Sequence, residues 1–436
     1  MQGVDVSKGS WRWVSLLPFL VFALFYVGLS VWANDFYKVP MIIAFLLASA
    51  VSILIGRGSL ESKVETYAKG MGEPNIMIMC LIFILAGAFA TIAKGSGAVD
   101  AAVTIAQSLV PPRLLVAGVF LVSCLISLAI GTSCGTIAAV TPIALGFAGK
   151  LALSPALLIG AVVGGAMFGD NLSMISDTTI AATRTQGVHM RDKFLSNALI
   201  AAPAALVALF LYAASGMSVG AMEVPAVSLR DVVLVTPYIL VLALALAGVN
   251  VMLLLFSGTV LSAVLGCCYG AFDFFGALDF LGKGTLGMSE TLIVALLAGG
   301  LFRSVHAQGG VVWLTEAVAR LVRGPRTCEL GVALLTAAVN CFTANNTVAI
   351  VITGPIAKAC GDRFRADPVR LASVLDTASC VVQGVIPYGA QILIAIGVAK
   401  SLGLTVDSFA LLKCLYYPPL LAVSVLVAMA FRRRDR

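Results

Sequence analysis

The chain has 436 residues, of which 60% are hydrophobic and only 11% are charged. Its mean hydropathy is +1.04 and its formal net charge is +7. So few charged side chains could not cover a soluble protein of this size, and the basic excess is typical of cytoplasmic loops rather than of nucleic-acid binding. The composition therefore excludes a soluble globular protein and indicates one embedded in membrane lipid.

Long apolar runs recur along the chain, and a helix that crosses a hydrocarbon core of ~30 Å needs about 20 such residues. A β-barrel would instead show short segments of alternating character. The pattern predicts an all-α polytopic membrane protein with about 10 to 12 membrane segments. Simple spans are expected at residues 14–33, 39–56, 75–93, 194–214, 231–249, 251–270, 290–305 and 408–431.

Four further segments are apolar but interrupted by small and polar residues. Each half of the chain is expected to hold one re-entrant hairpin followed by one discontinuous helix. The first half covers residues 1–220 and the second covers residues 221–436. The hairpins are predicted at 114–149 and 328–360, and the discontinuous helices at 154–188 and 370–400.

The two halves are similar in sequence. The stretch LAGAFATIAKGSGAVDAAVTIAQSLV from Leu85 matches LAGGLFRSVHAQGGVVWLTEAVARLV from Leu297 without a gap, at an offset of 212 residues. Further along, Asp170 falls roughly opposite Asp376. This order of landmarks favours an internal duplication over chance similarity between apolar segments.

Basic residues distinguish the corresponding loops of the two halves. The loop at 57–73 carries three basic residues, whereas its counterpart at 272–289 carries one. Because basic residues collect on the cytoplasmic side, this difference indicates that corresponding loops lie on opposite sides of the membrane. The halves are therefore predicted to be inverted-topology repeats, and inverted repeats with broken helices are typical of secondary transporters.

Two basic stretches orient the chain. One contains Arg184, Arg191 and Lys193, and the other is the C-terminal RRRDR. Both are interpreted as cytoplasmic. We therefore expect a multi-pass protein of the inner membrane with both termini in the cytoplasm.

The stretch GDNLSMISDTT, residues 169–179, places Asp170 and Asp177 between strongly apolar runs. A carboxylate at the bilayer centre costs at least ~2.5–3.5 kcal/mol. Non-helical backbone at membrane depth is tolerated only where it lines a cavity or is buried in protein. Burial disfavours the charged form, so such a carboxylate should take up a proton when no cation is bound. The stretch therefore predicts a site that exchanges a cation for a proton.

Hard cations prefer oxygen ligands from carboxylates, carbonyls, hydroxyls and amides. Three carboxylates, Asp170, Asp177 and Asp376, are the candidate ligands of a monovalent cation, although Asp177 could instead cap the helix that follows it. The full set of predicted ion-binding residues is Asp170, Asn171, Ser173, Ser176, Asp177, Thr178, Asp376 and Thr377.

The interruptions GTSCGT (131–136) and TANNT (343–347) are small, polar and turn-forming. We interpret them as hairpin tips that face each other at the site. The predicted tip residues are Thr132, Ser133, Thr136, Asn345, Asn346 and Thr347.

Three motifs resemble the NhaC-type sodium/proton antiporters of the ion transporter superfamily. FGDNLSMISDTT resembles that family's Gly-Asp, Ser, Ser-Asp and Thr-Thr pattern, GTSCGT resembles its Gly-Thr-Ser break, and LDTASCVVQGVIPYG resembles its later Asp-containing segment. The resemblance implies two inverted repeats, each with a hairpin and a discontinuous helix. It also implies functional roles for the matching residues Asp170, Ser173, Ser176, Asp177, Thr178 and Asp376.

The chain departs from the family pattern at four places. Asn171 and Met174 stand where the family commonly has Lys and Pro, Leu375 stands in place of an acidic residue, and Tyr388 replaces a Trp. Relatives of the family also exchange organic acids or amino acids, so the resemblance implies the fold more directly than the substrate.

The sequence therefore predicts a secondary transporter that exchanges sodium for protons, not an enzyme. No cofactor is expected beyond these transported species; homodimers are common among such folds, and no nucleic-acid partner is expected. One alternative is a sodium- or proton-coupled carrier of a small organic anion or amino acid, which would need a fixed cation or hairpin N-termini facing the substrate carboxylate. Another is an intramembrane aspartyl protease in which Asp170 and Asp376 share a proton.

Overall fold

The computed structural model describes residues 12–33, 39–217, 226–320 and 322–431. All regular secondary structure within these ranges is helical, which confirms the predicted all-α class. In the same ranges, eight helices are long and apolar enough to cross a membrane, and five shorter helices are also apolar. The predicted boundary between the halves at 220 and 221, and the basic stretch at 432–436, lie outside the described residues.

The described part of the chain contains 23 α-helices, numbered here in chain order. Their bounds are α1 Leu17–Ala23, α2 Leu29–Ala33, α3 Met41–Ile55, α4 Leu60–Met71, α5 Pro74–Gly95, α6 Ala98–Leu109, α7 Leu115–Ile130, α8 Ser133–Leu151, α9 Pro155–Leu172, α10 Asp177–Gln186, α11 Met190–Gly216, α12 Leu229–Leu234, α13 Thr236–Leu246, α14 Val251–Cys268, α15 Phe274–Gly287, α16 Ser289–Ala307, α17 Gly310–Ala319, α18 Pro325–Thr343, α19 Asn346–Phe364, α20 Pro368–Gln383, α21 Ala390–Ser401, α22 Ser408–Cys414 and α23 Tyr417–Ala430.

Helix pairs joined by tight turns occupy the two segments for which hairpins are predicted. α7 and α8 meet at Gly131, and α18 and α19 meet at Ala344. Both turn residues adopt the left-handed conformation, with φ of 74° and 48°. A left-handed residue at this position ends one helix and lets the chain reverse into the next.

The two predicted discontinuous helices are also interrupted. α9 and α10 are separated by residues 173–176, and α20 and α21 are separated by residues 384–389. Of the membrane-length helices in the described ranges, the one that contains this first interruption, Pro155–Gln186, is the most deeply buried, at 83%. The interrupted elements therefore lie in the core of the protein rather than against lipid.

Corresponding helices of the two halves begin 213 residues apart. Pro155 and Pro368 begin α9 and α20, and Asp177 and Ala390 begin α10 and α21. At this spacing the counterpart of Asp170 is Gln383.

At this spacing Asp376 is therefore not the residue that corresponds to Asp170. Asp376 lies seven residues, or about two helical turns, before Gln383 in the same helix. The sequence comparison selected the nearest acidic residue, because the counterpart of Asp170 is a neutral amide that offers no charge to match.

The stretches 57–73 and 272–289, interpreted from the sequence as loops, are instead largely helical and form α4 and α15. Ser59 caps α4 by accepting from the Ser62 amide, and Asp273 caps α15 by accepting from the Gly276 amide. α4 packs against α16, and α15 packs against α5, so each of these helices contacts the other half of the chain. Their charged faces made them look like loops in the sequence.

Candidate functional site

At the interruption between α9 and α10, the Ser176 hydroxyl lies against the last turn of α9. The Ser173 amide still donates to the Gly169 carbonyl oxygen at 2.8 Å, which closes α9. α10 begins at Asp177 because the Ser176 hydroxyl accepts from the Thr178 amide and caps the new helix. Ser176 is therefore held by helix capping in a position from which it also reaches Asp170.

Asp170 is a buried carboxylate that is held by hydroxyl groups. It is 4% exposed. Its Oδ1 accepts a hydrogen bond from the Ser176 hydroxyl at 2.5 Å, and its Oδ2 accepts one from the Ser133 hydroxyl at 2.7 Å. No Lys or Arg side chain in the described ranges forms an ion pair with it. A buried charge without an ion partner is costly, so this carboxylate favours any small cation that can reach it.

Close backbone packing brings the tip of the first hairpin against this interruption. A Cβ at Gly131 would lie 2.7 Å from Ile175 Cγ1 and 3.0 Å from the Ser176 nitrogen. A Cβ at Gly169 would lie 2.5 Å from the Leu128 nitrogen. Glycine at these two positions therefore lets the hairpin and α9 approach closely enough for Ser133 to reach Asp170.

Asp376 is also fully buried, but it has a cationic partner. Lys193 Nζ forms an ion pair with Asp376 Oδ2, and the two side chains are 1% and 0% exposed. Asn197 Nδ2 donates to the same oxygen at 3.1 Å, and the Cys380 thiol lies 3.7 Å from Oδ1. Asp376 is thus a neutralised carboxylate, whereas Asp170 is not.

The ion pair and Asp170 belong to one polar cluster. Lys193 Nζ donates to the Asn171 carbonyl oxygen at 2.8 Å and to Thr179 Oγ1 at 2.7 Å. Asn197 Nδ2 donates to the Asn171 carbonyl oxygen at 3.0 Å and to its side-chain oxygen at 3.2 Å. Since Asn171 directly follows Asp170, the Lys193–Asp376 pair fixes the backbone next to the hydroxyl-bound carboxylate.

Lys193 is a residue of this cluster that the sequence interpretation misplaced. It was assigned to a cytoplasmic loop because Arg184 and Arg191 are its neighbours, but it lies inside α11 and is buried. One signal was present in the sequence: Lys193 and Asn197 are four residues apart, so they share one face of a helix that continues into a long apolar run. A polar pair on one face of a membrane helix points toward the protein interior.

The other predicted ion-binding residues differ in their environments. Asn171, Ser173, Thr178 and Thr377 are buried, and the Thr178 hydroxyl lies 2.9 Å from the Ser176 hydroxyl. Thr377 donates to the Ser373 carbonyl oxygen of its own helix at 2.7 Å. Asp177 is exposed at the first position of α10.

The three aspartates do not come together. Nowhere in the described residues do three or more His, Cys, Asp or Glu side chains form a group that could hold a metal ion. Asp170 and Asp376 belong to the buried cluster, while Asp177 faces outward. A cation at this site would therefore be held by the Asp170 carboxylate together with neutral oxygens, rather than by three carboxylates.

Among the predicted hairpin-tip residues, Ser133 is the one with a hydrogen bond to Asp170 in the described part of the chain. Thr136 donates to the Thr132 carbonyl oxygen at 3.0 Å within its own hairpin. In the second tip, the side-chain oxygen of Asn345 accepts from the Val348 amide at 3.0 Å and caps α19, and that of Asn346 accepts from the Thr347 amide at 3.0 Å.

Two glutamines that the sequence interpretation did not select connect the second half to this cluster. Gln383 Nε2 donates to the Ala344 carbonyl oxygen and to Gln391 Oε1, both at 2.8 Å. Gln391 Nε2 donates to the Ser133 hydroxyl oxygen at 2.9 Å. Uncharged amides carry no strong signal in a single sequence, which is why these two residues were missed.

Many apolar helices surrounding a buried carboxylate cluster at helix interruptions define a multi-pass membrane protein of the secondary-transporter class. A family model described as the Na+/H+ antiporter family matches residues 6–217 and again residues 217–431. The chain belongs to this Na+/H+ antiporter family, which confirms the resemblance seen in the sequence. It is a transporter and not an enzyme, so the aspartyl-protease alternative is wrong.

Named relatives of the chain are also antiporters. The Na(+)/H(+) antiporter NhaC of Bacillus subtilis is 24% identical over 89% of this chain and 91% of its own length. The Malate-2H(+)/Na(+)-lactate antiporter of the same organism is 22% identical over 81% of this chain and 82% of its own length. Among solved structures, the YdaH transporter of Alcanivorax borkumensis is 14% identical, with a TM-score of 0.43 over 95% of this chain and 98% of that one.

Proposed function

We propose that the chain exchanges sodium ions for protons across the cytoplasmic membrane and that Asp170 binds the two ions in turn. The observation that carries this assignment is the contrast between two buried carboxylates: Asp376 is paired with Lys193, whereas Asp170 accepts hydrogen bonds from hydroxyls and has no ion pair in the described ranges. Binding of a positive ion therefore stabilises the Asp170 carboxylate more than the Asp376 carboxylate.

The groups around Asp170 suit both ions. A proton neutralises the carboxylate directly, while a sodium ion requires several oxygen ligands. The hydroxyl oxygens of Ser133 and Ser176 lie within 2.7 Å of the carboxylate, and the Thr178 hydroxyl is 2.9 Å from Ser176. The same carboxylate oxygens would hold either ion, so binding of one excludes binding of the other. Exclusive binding at one site is the minimum requirement for exchange.

The proposal assigns a positioning role to the Lys193–Asp376 pair. Its two charges cancel, so it does not attract a cation as Asp170 does. Lys193 instead holds the Asn171 carbonyl oxygen and thereby the end of α9. An inverted relation between the halves, with both termini in the cytoplasm, would let the elements around this cluster open to either side of the membrane in turn.

Everted membrane vesicles test the assignment. Wild-type protein should dissipate a preformed pH gradient when sodium is added, and Asp170→Asn should abolish this response because an amide cannot exchange a proton for a cation. Asp192→Asn is the matched control, since Asp192 is exposed and adjacent to Lys193 in the chain. Retention of full sodium-dependent exchange by Asp170→Asn would contradict the assignment.

A second candidate function is sodium- or proton-coupled transport of a small organic anion. Lys193 is the buried fixed cation that this function would require, and a relative is named a malate and lactate antiporter. Since Lys193 is engaged by Asp376, a substrate carboxylate would have to displace that partner. Uptake of labelled malate or lactate by vesicles that show no sodium-dependent proton flux would favour this second function.

A further inference from the structure

A hydrogen-bonded chain of side chains runs from the second hairpin tip to Asp170. It begins at the Ala344 carbonyl oxygen, passes through the amides of Gln383 and Gln391, and reaches the Ser133 hydroxyl, which donates to Asp170. Gln383 and Gln391 are 1% and 2% exposed. A buried polar side chain of the second half is therefore connected to the carboxylate of the first half.

The direction of each hydrogen bond in this chain is determined by its partners. The Ala344 carbonyl can only accept, so Gln383 must present its NH2 group to it. The same NH2 group donates to Gln391, so Gln391 accepts through its oxygen and its own NH2 group faces Ser133. Because Ser133 accepts from Gln391, its single hydroxyl hydrogen is available for Asp170.

We propose that Gln391 is a positioning residue for ion exchange: it holds the Ser133 hydroxyl as a donor to Asp170 and thereby sets the sodium affinity of the site. This proposal rests on the proposed function, in which Asp170 binds both ions. A hydroxyl that donates to a carboxylate stabilises its ionised form, and only the ionised form binds sodium. Gln391 therefore favours the form of the site that binds sodium.

The second half has amides at the positions that correspond to two site residues of the first half. Thr178 and Gln391 lie 213 residues apart, as Asp170 and Gln383 do, so the two glutamines are the second-half counterparts of two first-half site residues. An amide carries both a donor and an acceptor, which lets Gln391 accept from Gln383 and donate to Ser133 at the same time. An ionised carboxylate in its place could only accept and would not donate to Ser133.

Replacing Gln391 should change the pH profile through Asp170 while the surrounding titratable groups are retained. These groups lie on the helices packed around α9. They are Cys124 on α7, Cys134 on α8, Lys193 and Tyr212 on α11, Asp376 and Cys380 on α20, Cys414 on α22 and Tyr417 on α23.

The test measures sodium-dependent proton flux in everted vesicles against sodium concentration and pH for Gln391→Met. The half-saturating sodium concentration should rise about three- to tenfold, the contribution of one hydrogen bond of this kind. The pH of half-maximal flux should move upward by about 0.5 to 1 unit, because the carboxylate keeps its proton to higher pH. The maximal flux at saturating sodium and high pH should be retained.

Gln186→Met is the matched control. Gln186 is 1% exposed and donates to the Gly354 carbonyl oxygen at 2.9 Å, so it is a buried amide between an interrupted helix and a hairpin but has no hydrogen bond to Ser133. It should leave both midpoints unchanged. If Gln391→Met does not fold, Gln383→Met should give a smaller shift in the same direction. It removes the hydrogen bond that Gln383 donates to Gln391 but leaves the hydrogen bond from Gln391 to Ser133 in place.

A double-mutant cycle with Ser133→Ala tests whether Gln391 acts through Ser133. Adding Gln391→Met to Ser133→Ala should cause no further shift, because the hydroxyl that Gln391 positions is gone. Additive shifts, unchanged midpoints in Gln391→Met, or an equal shift in Gln186→Met would overturn the proposal while wild-type exchange and its loss in Asp170→Asn left the proposed function intact. Absence of exchange in the wild type would overturn both.

Discussion

The interrupted helices of the two halves have the same architecture but different chemistry. α9 carries Asp170 in its last turn, while α20 carries Gln383 at the corresponding position. Asp170 accepts hydrogen bonds from two hydroxyls, whereas Gln383 donates to Ala344 and Gln391. One half therefore supplies an ionisable group, and the other supplies an amide that orients its surroundings. Two interrupted helices of similar geometry can thus differ in charge, with the ionisable group confined to one of them.

The two halves also differ in how closely the hairpin packs against the interrupted helix. A Cβ at Gly165 would lie 2.3 Å from the Phe120 carbonyl oxygen, and one at Gly169 would lie 2.5 Å from the Leu128 nitrogen. The residues 213 positions later are Ala378 and Val382, which carry the side chains that α9 excludes. The hairpin therefore approaches the interrupted helix more closely in the half that holds the ionisable carboxylate.

The largest effect on stability should come from breaking the ion pair that joins the halves. Lys193→Met leaves the Asp376 carboxylate buried without its cation, which should cost about 3–5 kcal/mol. The double variant Lys193→Met/Asp376→Leu should recover most of this loss, because no buried charge remains. Thermal unfolding in detergent, followed by tryptophan fluorescence, measures both.

The exposed pair Lys283–Asp279 provides the control for this measurement. Its side chains are 69% and 58% exposed, so Lys283→Met should cost at most about 0.5 kcal/mol. Equal melting temperatures for Lys193→Met and Lys283→Met would show that the buried pair does not hold the halves together.

A smaller effect should follow from removing the close approach in the first half. Gly169→Ala forces a methyl group against the Leu128 backbone, which should destabilise the protein by about 1–3 kcal/mol and displace Asp170 from Ser133. Sodium-dependent exchange should fall with it. Val382→Ala at the corresponding position only removes a half-buried side chain and should cost about 1 kcal/mol with exchange retained. If the two variants lost the same amount of exchange, the packing difference between the halves would have no functional consequence.

The sequence predicted the helical class and the Asp170 region because both depend on strong local signals. Apolar runs of membrane length identify helices, and a carboxylate within such a run is costly enough to indicate a role. The loops at 57–73 and 272–289 were predicted wrongly, since amphipathic helices with charged faces lack the uninterrupted hydrophobicity of a span. Local patterns therefore identify long apolar helices better than short helices with charged faces.

The rest of the cluster depends on contacts between distant residues. Lys193 and Asp376 are 183 positions apart, and Gln391 and Ser133 are 258 apart. Arg191 near Lys193 gave that segment the composition of a cytoplasmic loop, although the two residues lie about half a helical turn apart and only the lysine is buried. Which face of a helix is buried follows from its neighbours in space, and a single sequence gives those neighbours only weakly.

The smallest effect is expected at Asp177, which lies in the same stretch as Asp170 and has the same side chain. Asp177 is exposed in the first turn of α10, where Ser176 already supplies the cap. Asp177→Asn should lose only the favourable interaction of a negative charge with the helix N-terminus, about 0.3–1 kcal/mol, and sodium-dependent exchange in everted vesicles should stay within about twofold of wild type. Loss of exchange comparable to that of Asp170→Asn would place a second essential carboxylate in the first half. The first half would then contribute two ionisable groups to exchange, the buried Asp170 and the exposed Asp177, where the second half has the amide Gln383.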